Sequence, residues 1–325
     1  MIVQETRLDT ARIRAARQVI DPIFLDTPLY RCEALEPVLG CAVSVKLETA
    51  NPIRSFKARG TEVVASGLAA NGSRAVVCAS AGNLGQALAW SGRGRGLEVT
   101  VVASRHATVA KLERIRALGA ELELVDGDHE LARERAAAIA RDQGIRLVED
   151  SLDLETCEGA ATIGLELVDA LPSFDAVLIA LGGGAMATGV GHVVKSHASD
   201  VEVICVQPAG APAMTRSWRE HRVVSTDSAD TIADGVAGRH PIPEVLDDLL
   251  LVADDAVLVQ EASIVTGMRM LLDHAGLIVE PSAALGIAAI LEDRERFADR
   301  HVLTIICGSN VDMDAYHRWI GPAPQ

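Results

Sequence analysis

Short apolar runs alternate along the chain with longer stretches in which apolar residues recur every three or four positions. Seven of the short runs are apolar at almost every position, which is typical of strands buried on both faces of a parallel sheet. These runs span residues 43–47, 75–78, 99–103, 122–125, 176–181, 201–206 and 302–307.

Helices are predicted in the stretches with three- and four-residue spacing, most clearly at 108–118, 130–143 and 256–274. Gly119 ends the first of them, as a helix stop signal. Alternating strands and helices predict an α/β architecture with right-handed crossovers. The region 208–243 is rich in prolines and small residues, and we expect it to be a long excursion near a site.

Four turns of small or polar residues follow predicted strands, at 48–57, 80–85, 182–189 and 307–310. In open α/β sheets, ligands bind beyond the carboxyl ends of the strands. We therefore expect the four turns to meet at a single cleft.

The glycine-rich turn at 182–189 has the composition of an anion-binding loop. Without side chains, its backbone N–H groups can approach an anion, and the following helix adds its N-terminal dipole. A dinucleotide fingerprint fits less well, because Gln207 stands where an acidic ribose ligand is expected. A tight turn that serves only helix–sheet packing remains the alternative.

Lys57 is one of only four lysines and lies at the start of a predicted helix, after the Asn51-Pro52 turn. A helix N-terminus disfavours an ammonium ion, so this position suits a neutral or covalently modified amine. The alternative is a solvated surface lysine. A phosphate-binding loop at the same sheet edge favours the first interpretation.

Taken together, these segments resemble the fold-type II pyridoxal-phosphate (PLP) enzymes, in particular the branch of threonine/serine dehydratases and serine racemases. The resemblance rests on SFKARG at 55–60, SAGN at 80–83, GGGAM at 182–186 and CGSN at 307–310, and it covers about residues 10–315. It implies two α/β domains with mostly parallel sheets. The large cofactor-binding domain would comprise 1–70 and 152–325, and a small mobile domain, 71–151, would be inserted in it.

The resemblance also implies a role for each site residue. Lys57 would hold PLP as a Schiff base and take the substrate's Cα proton, with Phe56 near the ring and Asn83 on its ring oxygen. The remaining residues implied are Gly182, Gly183, Gly184, Ala185 and Met186 for the phosphate, Cys307 for the pyridine nitrogen, and Ser80, Ala81, Gly82 and Asn83 for the substrate. The implied reaction is β-elimination from a β-hydroxy amino acid, threonine or serine by default, giving a 2-oxoacid and ammonia.

Several positions depart from the family's pattern. Ala81 replaces the second-face serine of the racemases, which favours a dehydratase, and Leu84 stands where histidine is common. Arg54 replaces a glycine and could bind a second anionic group, as in 3-hydroxyaspartate; a structural role for this arginine is the alternative. Gln207 and Ala213 occupy the acidic positions of the branch's cation site, so no metal site is expected.

The composition of the chain limits the kinds of partner and the compartment that can be expected. A net charge of −15 and only nine aromatic residues argue against nucleic-acid binding. No uncharged apolar run reaches about 18 residues, and the first segment is charged throughout, so neither a membrane span nor a secretory signal is expected. Six scattered cysteines indicate reduced core thiols. We expect a cytoplasmic protein, homodimeric by resemblance, with no regulatory domain after the CGSN segment.

Two other functions remain open at this point. A β-replacement enzyme of the same fold would form the same aminoacrylate but trap it with a thiol or an amine. A degenerate PLP-binding module without this activity is the other alternative, which Arg54 and Leu84 favour.

Overall fold

The computed structural model describes residues 5–171 and 173–321 and contains two separate β-sheets, each flanked by helices. The strands are β1 (Leu29–Arg31), β2 (Ala42–Leu47), β3 (Ala75–Ala79), β4 (Glu98–Ser104), β5 (Glu121–Val125), β6 (Arg146–Val148), β7 (Ala176–Ala180), β8 (Glu202–Pro208), β9 (Asp255–Val259) and β10 (His301–Ile306).

The helices alternate with these strands. They are α1 (Thr10–Val19), α2 (Glu36–Leu39), α3 (Lys57–Ala70), α4 (Asn83–Gly94), α5 (Val109–Ala117), α6 (His129–Gln143), α7 (Leu154–Ala170), α8 (Ala185–His197), α9 (Ala213–Glu220), α10 (Pro243–Val252), α11 (Glu261–Ala275), α12 (Leu285–Glu292), α13 (Arg294–Phe297) and α14 (Met313–Ile320). Short 3-10 helices lie at Pro22–Phe24, Asp234–Val236 and Pro281–Ala284. Among the described residues, no helix combines the length and apolar character that a membrane crossing needs.

The larger sheet has the order β1-β2-β10-β7-β8-β9, and all its pairs are parallel except β1 with β2. Its central strands are buried along nearly their whole length, and helices α8 and α12 pack against them. The prediction of a buried parallel sheet in an α/β fold is therefore confirmed.

The smaller sheet has the order β5-β4-β3-β6, is parallel throughout, and takes all its strands from between residues 75 and 148. It has its own apolar core, in which Val76 and Val101 of the sheet pack with Leu88 of α4 and Ile115 of α5. Each sheet is thus stabilised by its own buried residues.

All seven predicted strands are present, with ends shifted by one or two residues, but three further strands were missed. Strands β1 and β6 have only three residues each, too few to show a pattern. The third, β9, lies where a helix was predicted from residue 256; the helix begins at Glu261 instead. A short apolar run does not distinguish a strand from the first turn of a helix.

Candidate active site

A cavity of about 670 Å³ lies where the carboxyl ends of strands from both sheets come together. Its lining includes one or more residues from each predicted turn: Lys57, the segment 80–83, Gly182, Gly183 and Asn310. Each of the four predicted turns therefore contributes to one cavity, as expected. The end of the 208–243 excursion, from Asp234 to His240, forms another part of the wall.

Lys57 is the first residue of α3, and its side chain is largely buried in the cavity wall. Its Nζ donates a hydrogen bond to Oδ2 of Asp150, at 2.6 Å. The same Nζ lies 4.6 Å from the centroid of the Phe56 ring, which is buried. The amine thus has one carboxylate partner and one aromatic neighbour.

The start of α3 is fixed by the segment that follows β10. Phe56 N donates to the carbonyl of Cys307 at 3.1 Å, and Ser309 N donates to the carbonyl of Arg54 at 2.9 Å. Ser55 and Gly308 pair as an isolated antiparallel bridge. These bonds tie the SFKARG and CGSN segments together directly.

A buried charge cluster lies one turn into α3. Arg59 donates to Glu48 after β2 and to Glu166 on α7, and Lys46 also pairs with Glu166. Burial alone lowers the pKa of Arg59, but the two carboxylates outweigh it and raise the pKa above its usual value. Burial likewise raises the pKa of Glu166, but Arg59 and Lys46 leave it lowered. Two cations and two anions thus join α3, β2 and α7.

The glycine loop leads directly into the first turn of α8. Gly184 has a φ of 112°, a conformation that favours glycine. A Cβ on Gly183 would lie 2.6 Å from Oγ of Ser151, so a larger residue there would displace this hydroxyl. Ala185 N donates to the same Oγ at 3.1 Å. One N–H of this turn is thus paired with Ser151, and the glycine loop lies at the N-terminal, positive end of the α8 dipole.

Asn83, Glu280 and Asn310 form a hydrogen-bonded network on the opposite wall. The Asn83 amide donates to both carboxylate oxygens of Glu280, at 3.0 and 3.1 Å, and accepts from Nδ2 of Asn310 at 2.8 Å. Burial raises the pKa of Glu280 to about 7, and the charge of Asp234 adds to this shift, while hydrogen bonds from Asn83 and Asn310 oppose it. The network fixes the orientation of the Asn83 amide.

Cys307 is buried below this network and does not line the cavity. Burial, helped by the charge of Glu280, raises the pKa of its thiol far above the usual value. The side chain is therefore a neutral thiol at physiological pH.

The remaining predicted residues differ in whether they line the cavity. Ser80, Ala81 and Gly82 line the cavity, and Gly82 N donates to Oγ of Ser80 at 3.2 Å. Arg54, by contrast, is exposed and lies outside the lining, in a left-handed turn with a φ of 55°. Of the phosphate-loop residues, Gly182 and Gly183 reach the cavity. Gly184, Ala185 and Met186 lie behind them, and all three are buried.

Several residues of the site were not predicted from the sequence. Asp150 and Ser151 follow β6, whose three residues gave no signal. Lys111 pairs with Asp234, and both side chains line the cavity. The charged and imidazole side chains on the remaining wall are those of His106, His129, Glu130, Arg133, Glu149, Arg239 and His240.

The position of the branch's cation site is occupied differently here. Gln207 is buried, and its Oε1 accepts a hydrogen bond from Thr215 N at 2.9 Å. Within residues 5–171 and 173–321, no three His, Cys, Asp or Glu side chains come together in an arrangement suited to a metal ion.

Comparison with known proteins adds independent evidence. Residues 20–308 match the family described as pyridoxal-phosphate dependent enzyme. The chain is 31% identical to an L-threonine ammonia-lyase from Thermotoga maritima, over 95% of this chain and 77% of that protein. It is 30% identical to a phenylserine dehydratase from Ralstonia pickettii, over 96% of both chains.

A solved structure supports the same assignment. Maize serine racemase superposes with a TM-score of 0.90 at 25% sequence identity, over 96% of both chains. The family match covers most of the chain, and it agrees with the cavity, the lysine and the glycine loop described above. The protein thus belongs to the fold-type II pyridoxal-phosphate-dependent enzymes and is a lyase that uses this cofactor.

Proposed function

We propose that the protein catalyses β-elimination from a β-hydroxy amino acid, threonine or serine by default, giving a 2-oxoacid and ammonia. The observation that carries this proposal is the placement of Lys57 in one cavity with the glycine loop of α8 and the SAGN segment. The names of the relatives, an ammonia-lyase and a dehydratase, agree with it.

The residues of the cavity fit PLP. Gly182 and Gly183 line the cavity at the N-terminus of α8, where backbone N–H groups and the helix dipole favour a phosphate. Lys57 supplies the amine that the cofactor needs for covalent attachment, and Asn83 has a fixed amide facing the cavity. We assign Gly182, Gly183, Gly184, Ala185 and Met186 to the phosphate and Cys307 to the ring nitrogen.

When bound, PLP withdraws electrons from the substrate's Cα and so makes its hydrogen acidic. Lys57 then takes that proton as the general base. A neutral thiol at Cys307 would not keep the ring nitrogen protonated as a carboxylate would, and this would limit electron withdrawal into the ring and favour prompt elimination. Phe56 packs beside the lysine, with its ring centroid 4.6 Å from Nζ.

The SAGN segment is proposed to bind the substrate carboxylate, because it forms the loop before α4 and lines the cavity. Ala81 offers no acid for the second face, which supports elimination over racemisation. The cations on the wall already have carboxylate partners: Arg133 lies 2.9 Å from Glu149, and Arg239 lies 3.1 Å from Asp128. This pairing supports an uncharged substrate side chain over that of 3-hydroxyaspartate.

The segment 71–151 contains the whole smaller sheet and forms one side of the cavity. We propose that it acts as a mobile small domain over the substrate, with 1–70 and 152–325 as the large domain. We also propose a homodimer in the cytoplasm. All six cysteines are buried and free, which agrees with a reducing compartment.

The first test is spectroscopic. The holoenzyme should show an absorbance band near about 410–420 nm, which disappears in Lys57→Ala because the covalent link needs that amine. Lys111→Ala is the matched control, since Lys111 lines the same cavity but pairs with Asp234, and its band should persist.

The second test measures 2-oxoacid formation from threonine and serine, with and without an added thiol. Formation of a 2-oxoacid without a nucleophile supports elimination. Product that appears only with the thiol identifies a β-replacement enzyme instead. A protein that binds PLP but converts neither substrate under any condition contradicts the proposed function.

A further inference from the structure

Asp150 places a second carboxylate within reach of the amine that is proposed to do the chemistry. Its Oδ2 accepts the Lys57 hydrogen bond at 2.6 Å. Its Oδ1 is buried and has no hydrogen-bond partner among the described residues. Asp150 also lines the cavity. Because Oδ1 is shielded while the side chain as a whole is 29% exposed, Oδ2, which contacts Lys57, is the oxygen that a substrate group in the cavity can meet.

The backbone around Asp150 is held in a fixed turn. Ser151 has a φ of 68° and is fully buried, so the turn is a constrained one. Ser151 N donates to Oγ1 of Thr156 at 3.1 Å, and Asp153 N donates to the carbonyl of Glu149 at 3.0 Å. The turn thus places the Asp150 side chain beside Lys57, which is the hydrogen-bond partner of its carboxylate among the described residues.

The other acidic groups on the cavity wall are already engaged. Glu280 accepts two hydrogen bonds from Asn83 and one from the backbone of Asn310. Asp234 pairs with Lys111, and both Glu149 and Glu130 pair with Arg133. Asp150 is the acidic side chain that contacts the proposed base.

A β-hydroxyl group is a poor leaving group unless a proton reaches its oxygen as the bond breaks. We propose that Asp150 is a catalytic residue that supplies this proton from the proton it shares with Lys57. This inference rests on the proposed function, since it concerns the leaving group of that reaction.

The step balances within the substrate and these two side chains. The amine of Lys57 takes the Cα proton, and the electron pair of that bond becomes the second Cα–Cβ bond. The Cβ–O bond breaks with its electrons on oxygen, and the Asp150 proton joins that oxygen to release water. The Lys57 ammonium and the Asp150 carboxylate then remain as the ion pair that the structure shows.

The test compares two leaving groups in the holoenzyme. Serine loses a hydroxyl, which needs the proton, whereas β-chloro-L-alanine loses chloride, which does not. In Asp150→Asn we expect kcat for serine to fall about 100-fold or more, within the usual range for loss of a general acid. The kcat for β-chloro-L-alanine should stay within about threefold, because this step needs no proton transfer to the leaving group.

The control is Glu149→Gln. This variant removes a neighbouring carboxylate on the same wall, one that pairs with Arg133. It should change kcat for the two substrates in equal proportion. The absorbance band of each variant confirms folding and cofactor loading, and Asp150→Ser replaces Asp150→Asn if the latter does not load.

An equal loss for both substrates in Asp150→Asn overturns the inference, because Asp150 would then act only on Lys57. An unchanged kcat for serine overturns it as well. A wild-type enzyme that converts β-chloro-L-alanine but no β-hydroxy amino acid has a different meaning: it overturns the proposed function, and the inference with it.

Discussion

Glu280 and Asn83 meet on one wall of the cavity, where the buried carboxylate accepts two hydrogen bonds from a single amide nitrogen, at 3.0 and 3.1 Å. Asn83 begins α4, beside the smaller sheet, whereas Glu280 precedes the 3-10 helix that leads into α12, beside the larger one. The carboxyl group with the raised pKa is therefore in direct contact with a side chain that is proposed to hold the cofactor.

Replacing Glu280 should change how stability depends on pH. Its pKa is about 7 in the folded protein and near 4.5 in the unfolded chain. Between these values the folded state binds a proton that the unfolded state has released, so the stabilisation present below pH 4.5 is lost as pH rises through 7. The loss amounts to about 3 kcal/mol.

Urea unfolding of the cofactor-free protein at several pH values measures this effect. Glu280→Gln has no proton to lose, so the difference between wild type and variant should grow in favour of the variant from pH 5 to pH 8. A difference that stays constant over this range would show that Glu280 titrates near its ordinary value.

Two glycines of α3 should respond in opposite ways to alanine. A Cβ on Gly60 would lie 2.7 Å from Cα and 2.9 Å from the carbonyl oxygen of Thr156 on α7, whereas Gly67 is exposed with open space around it. We expect Gly60→Ala to destabilise the protein by about 1–3 kcal/mol. Gly67→Ala should stabilise it by up to about 1 kcal/mol, through helix propensity.

Thermal unfolding of both variants checks this pair, and PLP titration adds a second measurement. Gly60→Ala should also bind PLP more weakly, because a shifted α3 moves Lys57. Equal stability of the two variants would mean that the contact between α3 and α7 is loose.

Arg54 adopts a left-handed conformation with a φ of 55°. A side chain in this region is strained, and a β-branched one is strained most. Arg54→Gly should therefore be more stable than Arg54→Val by about 1–2 kcal/mol in denaturant unfolding. Because Arg54 lies outside the cavity lining, Arg54→Gly should leave the relative rates for threonine, serine and 3-hydroxyaspartate unchanged. A selective loss with 3-hydroxyaspartate would instead assign this arginine to substrate binding.

The buried cluster under α3 should not tolerate the loss of one charge. Glu166→Gln leaves Lys46 and Arg59 with the single carboxylate of Glu48, which should cost about 3–5 kcal/mol. Asp126→Asn, at an exposed ion pair, should change stability by no more than about 0.5 kcal/mol. Chemical denaturation compares the two, and similar costs would show that the cluster is accessible to water.

The α/β class, seven of the strands and the four segments that line the cavity could all be predicted from the amino-acid sequence. This was possible because a strand buried on both faces must be apolar throughout, and because the carboxyl ends of parallel strands share one edge. Lys57 and the glycine loop were predicted for the same reason, since each directly follows such a strand or begins the next helix.

The side-chain contacts in the cavity, by contrast, could not be predicted, because they depend on how distant segments pack. Asp150 follows a three-residue strand with no pattern of its own, and its contact with Lys57 joins positions 93 residues apart. The raised pKa of Glu280 depends on burial by segments distant in the chain. Arg54 looked suited to a second carboxylate, yet its backbone lies in a turn outside the cavity lining. Residue types and their spacing are enough to predict local structure. The distances between side chains in the cavity, their burial and their orientation instead arise from packing between distant segments.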